Sequence, residues 1–419
     1  MLGRFAYLSA VIGLTVVLPA ITSFADQKPQ VNWTFDCGSR IYSGPVAAEL
    51  SEHPGLELLV VLSNERKIVC LDAERNLLWS YDAFTLRLTD APSVADLDGD
   101  GTLEVLVGSR DAGVVCLEAD GTLRWKQPAG DGLTWSGVTV VDADGDGTPE
   151  VFWKSRTGLI ECHSADGAKR WEYLLNSPKS EGPLAVADLD GDGFAEIVGE
   201  GAGIYCLDHR GKPKWSFTSE AWFQDNGPVI ADVYGDKSPE VVAASSDGLL
   251  WCFDGATGNV LWNYRSFSGR IDTTIAVGDI DGDGTLEIIY GDGDGNLYCL
   301  EGDGKERWSY KAGDWIESAP ALGDVDGDGV IEIVFGSADG NVYCLSSSGK
   351  LEWTFPTKKR ISASPTLCDL DQDGTVDILI PSHNGTLYSL SRGGAWNPDK
   401  ILWPFRRFDF QHTAAIPAR

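Results

Sequence analysis

Positive charge is scarce in this chain. Thirty-three Lys and Arg face 63 Asp and Glu, a formal net charge of -30. That balance excludes nucleic-acid binding driven by phosphate neutralisation. Histidine is nearly absent, with five residues, and no His or Cys cluster has the spacing of a zinc site. Helical periodicity is missing throughout. After the first 25 residues no apolar run is long enough to cross a membrane. These absences leave a folded, acidic, all-β chain.

The amino terminus reads as an export signal over residues 1–25. Arg4 precedes an apolar run from Phe5 to Leu18, and Ser23-Phe24-Ala25 supplies small residues for cleavage. The mature chain is expected from Asp26 to Arg419 as one domain, secreted, periplasmic or cell-surface, with no integral membrane segment. No cysteine follows the cleavage site, so a lipid anchor is not expected. Nine cysteines then invite a disulfide reading. Seven of them (Cys70, Cys116, Cys162, Cys206, Cys252, Cys299 and Cys344) recur at one repeat position, with Ser389 in the eighth. Equivalent positions in neighbouring units lie too far apart to pair. Cys37 and Cys368 break the pattern, and pairing between them is left open.

What is abundant is a turn, Asp-x-Asp-Gly-Asp-Gly-x-x-Glu. It starts at Asp96, Asp142, Asp188, Asp279 and Asp324, with a sixth acidic copy at Asp369. Degenerate copies start at Glu49 and Asp232. Successive spacings are 47, 46, 46, 44, 47, 45 and 45 residues. A period of that size, with four short strands and Gly/Asp turns per unit, predicts an eight-bladed β-propeller of four-stranded antiparallel blades. Seven blades plus a flanking unit is the alternative. Tryptophan marks a second register at Trp33, Trp79, Trp125, Trp171, Trp215, Trp262, Trp308, Trp353 and Trp403. These are expected to wedge between neighbouring sheets. Trp33 belongs to a spare outer strand that closes the ring, and the tail at Trp403 competes for that place.

The acidic turn suits a hard cation. Calcium takes six to eight oxygens from a flexible ring. Asp96, Asp98, Asp100, the Thr102 carbonyl and Glu104 form one expected set. The others are Asp142, Asp144, Asp146 and Glu150; Asp188, Asp190, Asp192 and Glu196; Asp279, Asp281, Asp283 and Glu287; Asp324, Asp326, Asp328 and Glu332; and Asp369, Asp371, Asp373 and Asp377. The acidic closer comes at position nine and a strand follows, unlike an EF-hand. About six structural calcium ions are expected, taking the charge from -30 to -18. The Glu49 and Asp232 turns have lost ligands and are expected to be vacant; His53 is a weak ligand candidate.

These turns resemble the FG-GAP/VCBS repeats of integrin-α-type propellers, which implies calcium in the loop between blade strands. Gly203-Ile204-Tyr205-Cys206-Leu207-Asp208 with Gly211 and Trp215, and Trp403-Pro404-Phe405-Arg406-Arg407-Phe408-Asp409 with His412-Thr413, resemble quinoprotein-like repeats. Quinoprotein dehydrogenases carry an adjacent-cysteine disulfide, and no Cys-Cys pair occurs here, so no PQQ is expected. The resemblance implies extracellular protein binding, or a scaffold like the outer-membrane assembly propeller. Eight-bladed, calcium-bearing rhamnogalacturonan lyases are also similar.

Specificity is expected on the irregular connections between blades, where Arg87, Trp135, Trp222, Asp225, Arg270, Trp315, Glu317 and Arg360 lie. Trp135, Trp222 and Trp315 fall outside the structural register and suit sugar stacking or peptide anchoring. A non-catalytic binding or scaffold protein for protein or glycan ligands is the expected function. The alternative is a polysaccharide-active lyase or glycosidase, with Asp225, Asp272 and Glu317, or Lys154, Arg156 and Lys179, supplying its groups.

Overall fold

The computed structural model describes residues 28–419 except 83, 85–87, 89, 110–112, 129–136, 176–181, 224–226, 267–269, 272, 405–408, 410–412 and 414–419. The expected signal segment therefore lies outside the described residues. Eight antiparallel sheets follow one another along the chain, and the seven-blade alternative falls. Within the second blade the order is Ser93–Ala95, Glu104–Ser109, Gly113–Leu117 and Leu123–Gln127. First strands touch those of neighbouring blades, so they line the axis.

Burial follows this radial order. The first strand is short and almost wholly buried, and the second is buried on both faces, as in Glu150–Lys154. Outer strands alternate: Lys169–Leu174 runs exposed, exposed, half-buried, exposed, half-buried, exposed. One face of that strand meets the adjoining blade and the other meets water. The apolar cores accordingly lie between sheets. Val198, Ile204 and Cys206 of the fourth blade pack with Ile230, Val241 and Phe253 of the fifth.

The recurring tryptophan is the clamp between blades. Each repeat cysteine sits opposite it, as in Cys206 opposite Trp215. In the first six blades the indole N–H crosses to the next blade, as where Trp79 Nε1 donates to the Ala119 carbonyl at 2.8 Å and Trp171 Nε1 to that of His209 at 2.9 Å. The Trp353 indole N–H has no partner among the described residues. The ring lies on a turn glycine. A Cβ on Gly211 would stand 2.6 Å from the Trp171 ring, and its φ is +76°. All nine cysteines are buried free thiols, so Cys37 and Cys368 do not pair.

The ring closes as expected of Trp33. Gln30–Asp36 pairs with Thr386–Ser391 as the outer strand of the last blade, with Trp33 opposite Ser389. Trp403 departs from expectation. Ile401–Trp403 is neither an outer strand nor a competitor for one. It adds to the inner edge of Ala321–Gly323, in the axial channel. Two inner-strand glycines admit it: a Cβ on Gly278 would lie 3.1 Å from Leu402 Cβ, and one on Gly323 2.7 Å from Ile401 Cδ1. Trp403 is fully buried. Beyond it the Pro404 carbonyl accepts from Leu367 N at 2.8 Å, and Thr413 O from Val186 N at 3.1 Å. Pro404 thus meets the eighth blade and Thr413 the fourth.

Candidate functional site: acidic turns on one face, an arginine-rich rim on the other

Each acidic turn joins the first and second strands of a blade. The leading Asp organises it: Asp96 Oδ1 accepts from Gly99 N at 2.7 Å, and Oδ2 from Gly101 N at 2.9 Å. The closing carboxylate holds the entry. Glu104 Oε2 accepts from Leu97 N at 2.8 Å. The bond recurs at Glu150, Glu196, Glu287, Glu332 and Asp377. It recurs too in the two degenerate turns, where Glu57 accepts from Leu50 N and Glu240 from Val233 N. The closer is therefore a folding element in all eight blades, a role that the ligand-based reading missed.

Ligand atoms of three carboxylates lie within 4.8 Å of one another in turn after turn, among them Asp96, Asp98 and Glu104; Asp142, Asp144 and Asp146; Asp188, Asp190 and Glu196; Asp279, Asp281 and Glu287; and Asp324, Asp326 and Glu332. An all-oxygen set of this density fits calcium. Among the described turn carboxylates three buried oxygens lack a hydrogen-bond partner, Glu104 Oε1, Glu332 Oε1 and Asp369 Oδ1. Glu104 Oε1 faces Arg124 at 3.1 Å, and the other two suit a cation. In the last turn the Asp377 carboxylate is already bonded to Leu370 N, Asn32 and Ser389.

The turns are not equivalent. The residue before the clamp tryptophan reaches back into the turn of its own blade. Arg124 lies 2.7 Å from Asp98 and 3.1 Å from Glu104. Arg170 pairs with Asp144 and Glu150, Lys214 with Asp190 and Glu196, and Arg307 with Asp281 and Glu287. The degenerate turns have Leu78 and Leu261 there, and the seventh blade has Glu352, its turn instead meeting Arg392, 3.5 Å from Asp326. In that blade Asp324, Asp326 and Glu332 are all buried. Burial, with Asp326 and Glu352 nearby, pushes Glu332 up to about 9. Glu287, whose turn holds Arg307, is pushed to about 8, chiefly by burial. A cavity of about 810 Å³ also opens on this face, between the Asp232 and Asp279 turns and the tail at Lys400 and Leu402.

The opposite face carries the connections. Arg40, Trp222, Arg270, Trp315 and Arg360 occupy equivalent places. Their carbonyls accept from Ser63, Ser246, Gly293, Ala338 and His383 N in the hairpin of the following blade. Arg87, Trp135 and Asp225 lie outside the described residues, as do Lys179 and Asp272. Trp222 is exposed and stands in the fourth-to-fifth connection.

Arg270, Trp315, Glu317 and Arg360 come together. The Arg360 guanidinium lies 5.0 Å from the Trp315 ring centroid and that of Arg270 5.6 Å. Glu317 grips Arg360 with both oxygens, one at 3.0 Å from Nε. Trp315 thus gathers guanidinium groups, and its ring is committed to them more than to a sugar face. Lys154, a lyase candidate, is buried and donates to the Glu200 carbonyl at 2.9 Å.

Four neighbouring residues went unnoticed in the sequence: Arg40, Tyr42, Ser362 and His383. His383 Nε2 lies 2.6 Å from Ser362 Oγ. Its ring meets Tyr42 edge-on at 5.1 Å, and Arg40 Nη1 lies 3.4 Å from the Tyr42 hydroxyl. Burial, then Arg360 and Arg40, lower the His383 pKa, with Glu317 opposing. The repeat register held the missing signal. Arg40, Arg270, Trp315 and Arg360 each stand six residues before a first strand, and Tyr42, Glu317 and Ser362 two residues later.

Comparison with known proteins supports the architecture. A family model described as the lambda-carrageenase β-propeller domain matches residues 258–320 and 321–368. The FG-GAP-like repeat matches residues 96–153. No curated protein matches significantly by sequence. Among solved structures, BamB from Moraxella catarrhalis is similar at 18% identity and TM-score 0.60, over 87% of this chain and 98% of that one. Sqt1 from Saccharomyces cerevisiae gives 11%, 0.68, 87% and 99%, and a europium-containing methanol dehydrogenase 14%, 0.60, 84% and 84%. Identities this low speak to fold alone. The chain is an eight-bladed β-propeller whose repeats include an FG-GAP-like unit.

Proposed function

We propose that the protein is an exported, calcium-stabilised propeller that binds a carbohydrate ligand on its connection face, without catalysis. The carrying observation is the convergence of Arg270, Trp315, Glu317 and Arg360 at one corner of that face. These residues fall within the segments similar to the lambda-carrageenase propeller domain, which favours a glycan over a protein ligand. Calcium in the acidic turns is a structural ion in this reading. Its ligands come from one short loop, on the face away from the arginine corner. Residues 1–25 are read as an export signal, and the periplasm, the cell surface or the exterior is the location this reading proposes.

A polysaccharide-active enzyme is the second reading, favoured by the same carrageenase likeness. Against it, Glu317 is held in an ion pair and Lys154 is sealed in the interior. A polysaccharide array probed with calcium-saturated protein tests the first reading, and a product assay on the polymers that bind tests the second. Binding without product supports a binding module. Release of unsaturated or reducing ends replaces it with an enzyme, and failure to bind any glycan sinks both.

A further inference from the structure

We propose that the seam between the eighth and first blades is a subsite for one anionic group of a saccharide, a carboxylate or a sulfate ester, held by Arg40, Ser362, His383 and Arg360. The proposal rests on the carbohydrate-binding reading and adds the chemistry of the ligand.

Charge distribution is the first support. The chain as a whole carries -30, yet this sector concentrates cations. Arg40 is exposed and makes no ion pair among the described residues; its guanidinium donates to the Tyr42 hydroxyl. Lys358 and Lys359 are exposed immediately before Arg360. Glu317 is the carboxylate that pairs with Arg360. Along these connections Arg40, Arg270, Lys358, Lys359 and Arg360 stand with three acids, Asp272, Asp314 and Glu317.

Geometry is the second support. Three connections and one hairpin meet here. Arg360 is fixed in orientation by Glu317 and by the Trp315 ring, and its carbonyl accepts His383 N at 3.1 Å. His383 is fixed in turn by Ser362 and by the edge of Tyr42. Tyr42 links to Arg40 across the ring closure. A guanidinium offers paired N–H donors that match a carboxylate or sulfate. Pre-set side chains lower the ordering cost of binding such a group. A half-buried imidazole and a hydroxyl between two guanidiniums add hydrogen bonds without adding a negative charge. The groups facing His383 are Arg40, Arg360, Glu317, Tyr42 and Ser362, and a bound anion would become the nearest unpaired negative charge.

The test uses the full mature chain with calcium. Its probes are a sulfated galactan oligosaccharide, an oligogalacturonate, cellohexaose as the uncharged control, and polyglutamate. The variants are Arg40→Ala, His383→Gln and Trp315→Ala, each required to keep the wild-type melting temperature. The expected result is anionic saccharides binding about tenfold or more tighter than cellohexaose. Arg40→Ala should remove most of that preference, and Trp315→Ala should weaken all saccharides. The better of the two anionic probes identifies the group recognised.

An unchanged preference in Arg40→Ala and His383→Gln, with Trp315→Ala still impaired, overturns the subsite and leaves carbohydrate binding standing. No saccharide binding by the wild type overturns both. Polyglutamate bound as tightly as the saccharides, and lost in Arg40→Ala, overturns the saccharide and installs an acidic peptide. Imidazole NMR with inorganic sulfate gives a readout free of any glycan. Sulfate should raise the titration midpoint of the resonance absent from His383→Gln, and a midpoint indifferent to sulfate counts against the subsite.

Discussion

The two faces of this ring use the same polypeptide differently. On the acidic face every blade repeats one turn, down to the bond from the closing carboxylate to an N–H seven residues earlier. On the connection face the backbone repeats, but the side chain six residues before each first strand changes among Arg, Trp and other types. Repetition marks what each blade needs in order to stand. Variation in a fixed backbone frame marks where a ligand can be read. The difference also separates the two kinds of tryptophan. Trp171 donates to the next blade and rests on a glycine, whereas Trp315 gathers two arginines.

The largest effect should come from the clamp. Trp171→Ala removes an inter-blade hydrogen bond and a large apolar ring, and should cost about 3 kcal/mol or more in denaturant unfolding. Gly211→Ala should approach that loss, because its Cβ would meet the same ring. Trp315→Ala should leave unfolding nearly unchanged. Equal losses for Trp171→Ala and Trp315→Ala would erase the distinction between the faces.

Calcium should give the next largest effect. A site loaded at a hundredfold excess over its Kd contributes about 2.7 kcal/mol. The seventh blade, with buried carboxylates, Glu352 before its clamp tryptophan and only the 3.5 Å contact from Arg392 to Asp326 as cationic competitor, should bind tightest in calorimetry. Arg124 and Arg307 compete for their own turns. Arg307→Gln should therefore strengthen calcium binding, and Glu332→Gln should remove the tightest site. A fall in affinity on Arg307→Gln would show that the arginine supports the site.

The degenerate fifth-blade turn gives a pH test free of calcium. Burial first, then Asp236 and Asp232, raise Glu240 from 4.5 to about 7. The folded state then holds the proton more tightly than the unfolded state. The stabilisation is complete below pH 4.5 and is lost as pH rises towards 7, on the order of 2–3 kcal/mol. Glu240→Gln should flatten that decline in chelator, while keeping an oxygen for Val233 N.

Much of the fold was legible because the repeat overdetermines it. Eight copies of the turn fixed the blade number, and Trp33 without a preceding unit announced the closing strand. Trp403 misled because a Trp in an apolar triplet looks the same at the rim as in the channel. Gly278 and Gly323, ending first strands, held the only trace of the tail's path. The acidic turns were legible as oxygen-rich loops. Their inequality was not read, because it depends on a residue some 24 to 26 positions later, brought back by the outer strand. Arg40 and His383 escaped because the seam joins residues more than 340 apart, and only ring closure puts them together.

The most direct measurement is of ligand affinity and melting temperature on the same samples, for wild type with and without chelator and for Trp315→Ala with calcium. Chelation should lower the melting temperature while leaving the dissociation constant unchanged at a temperature where the ring stays folded. Trp315→Ala should weaken binding while leaving the melting temperature unchanged. Binding lost on chelation from a folded ring, or undiminished in Trp315→Ala, would contradict the division of labour between the two faces.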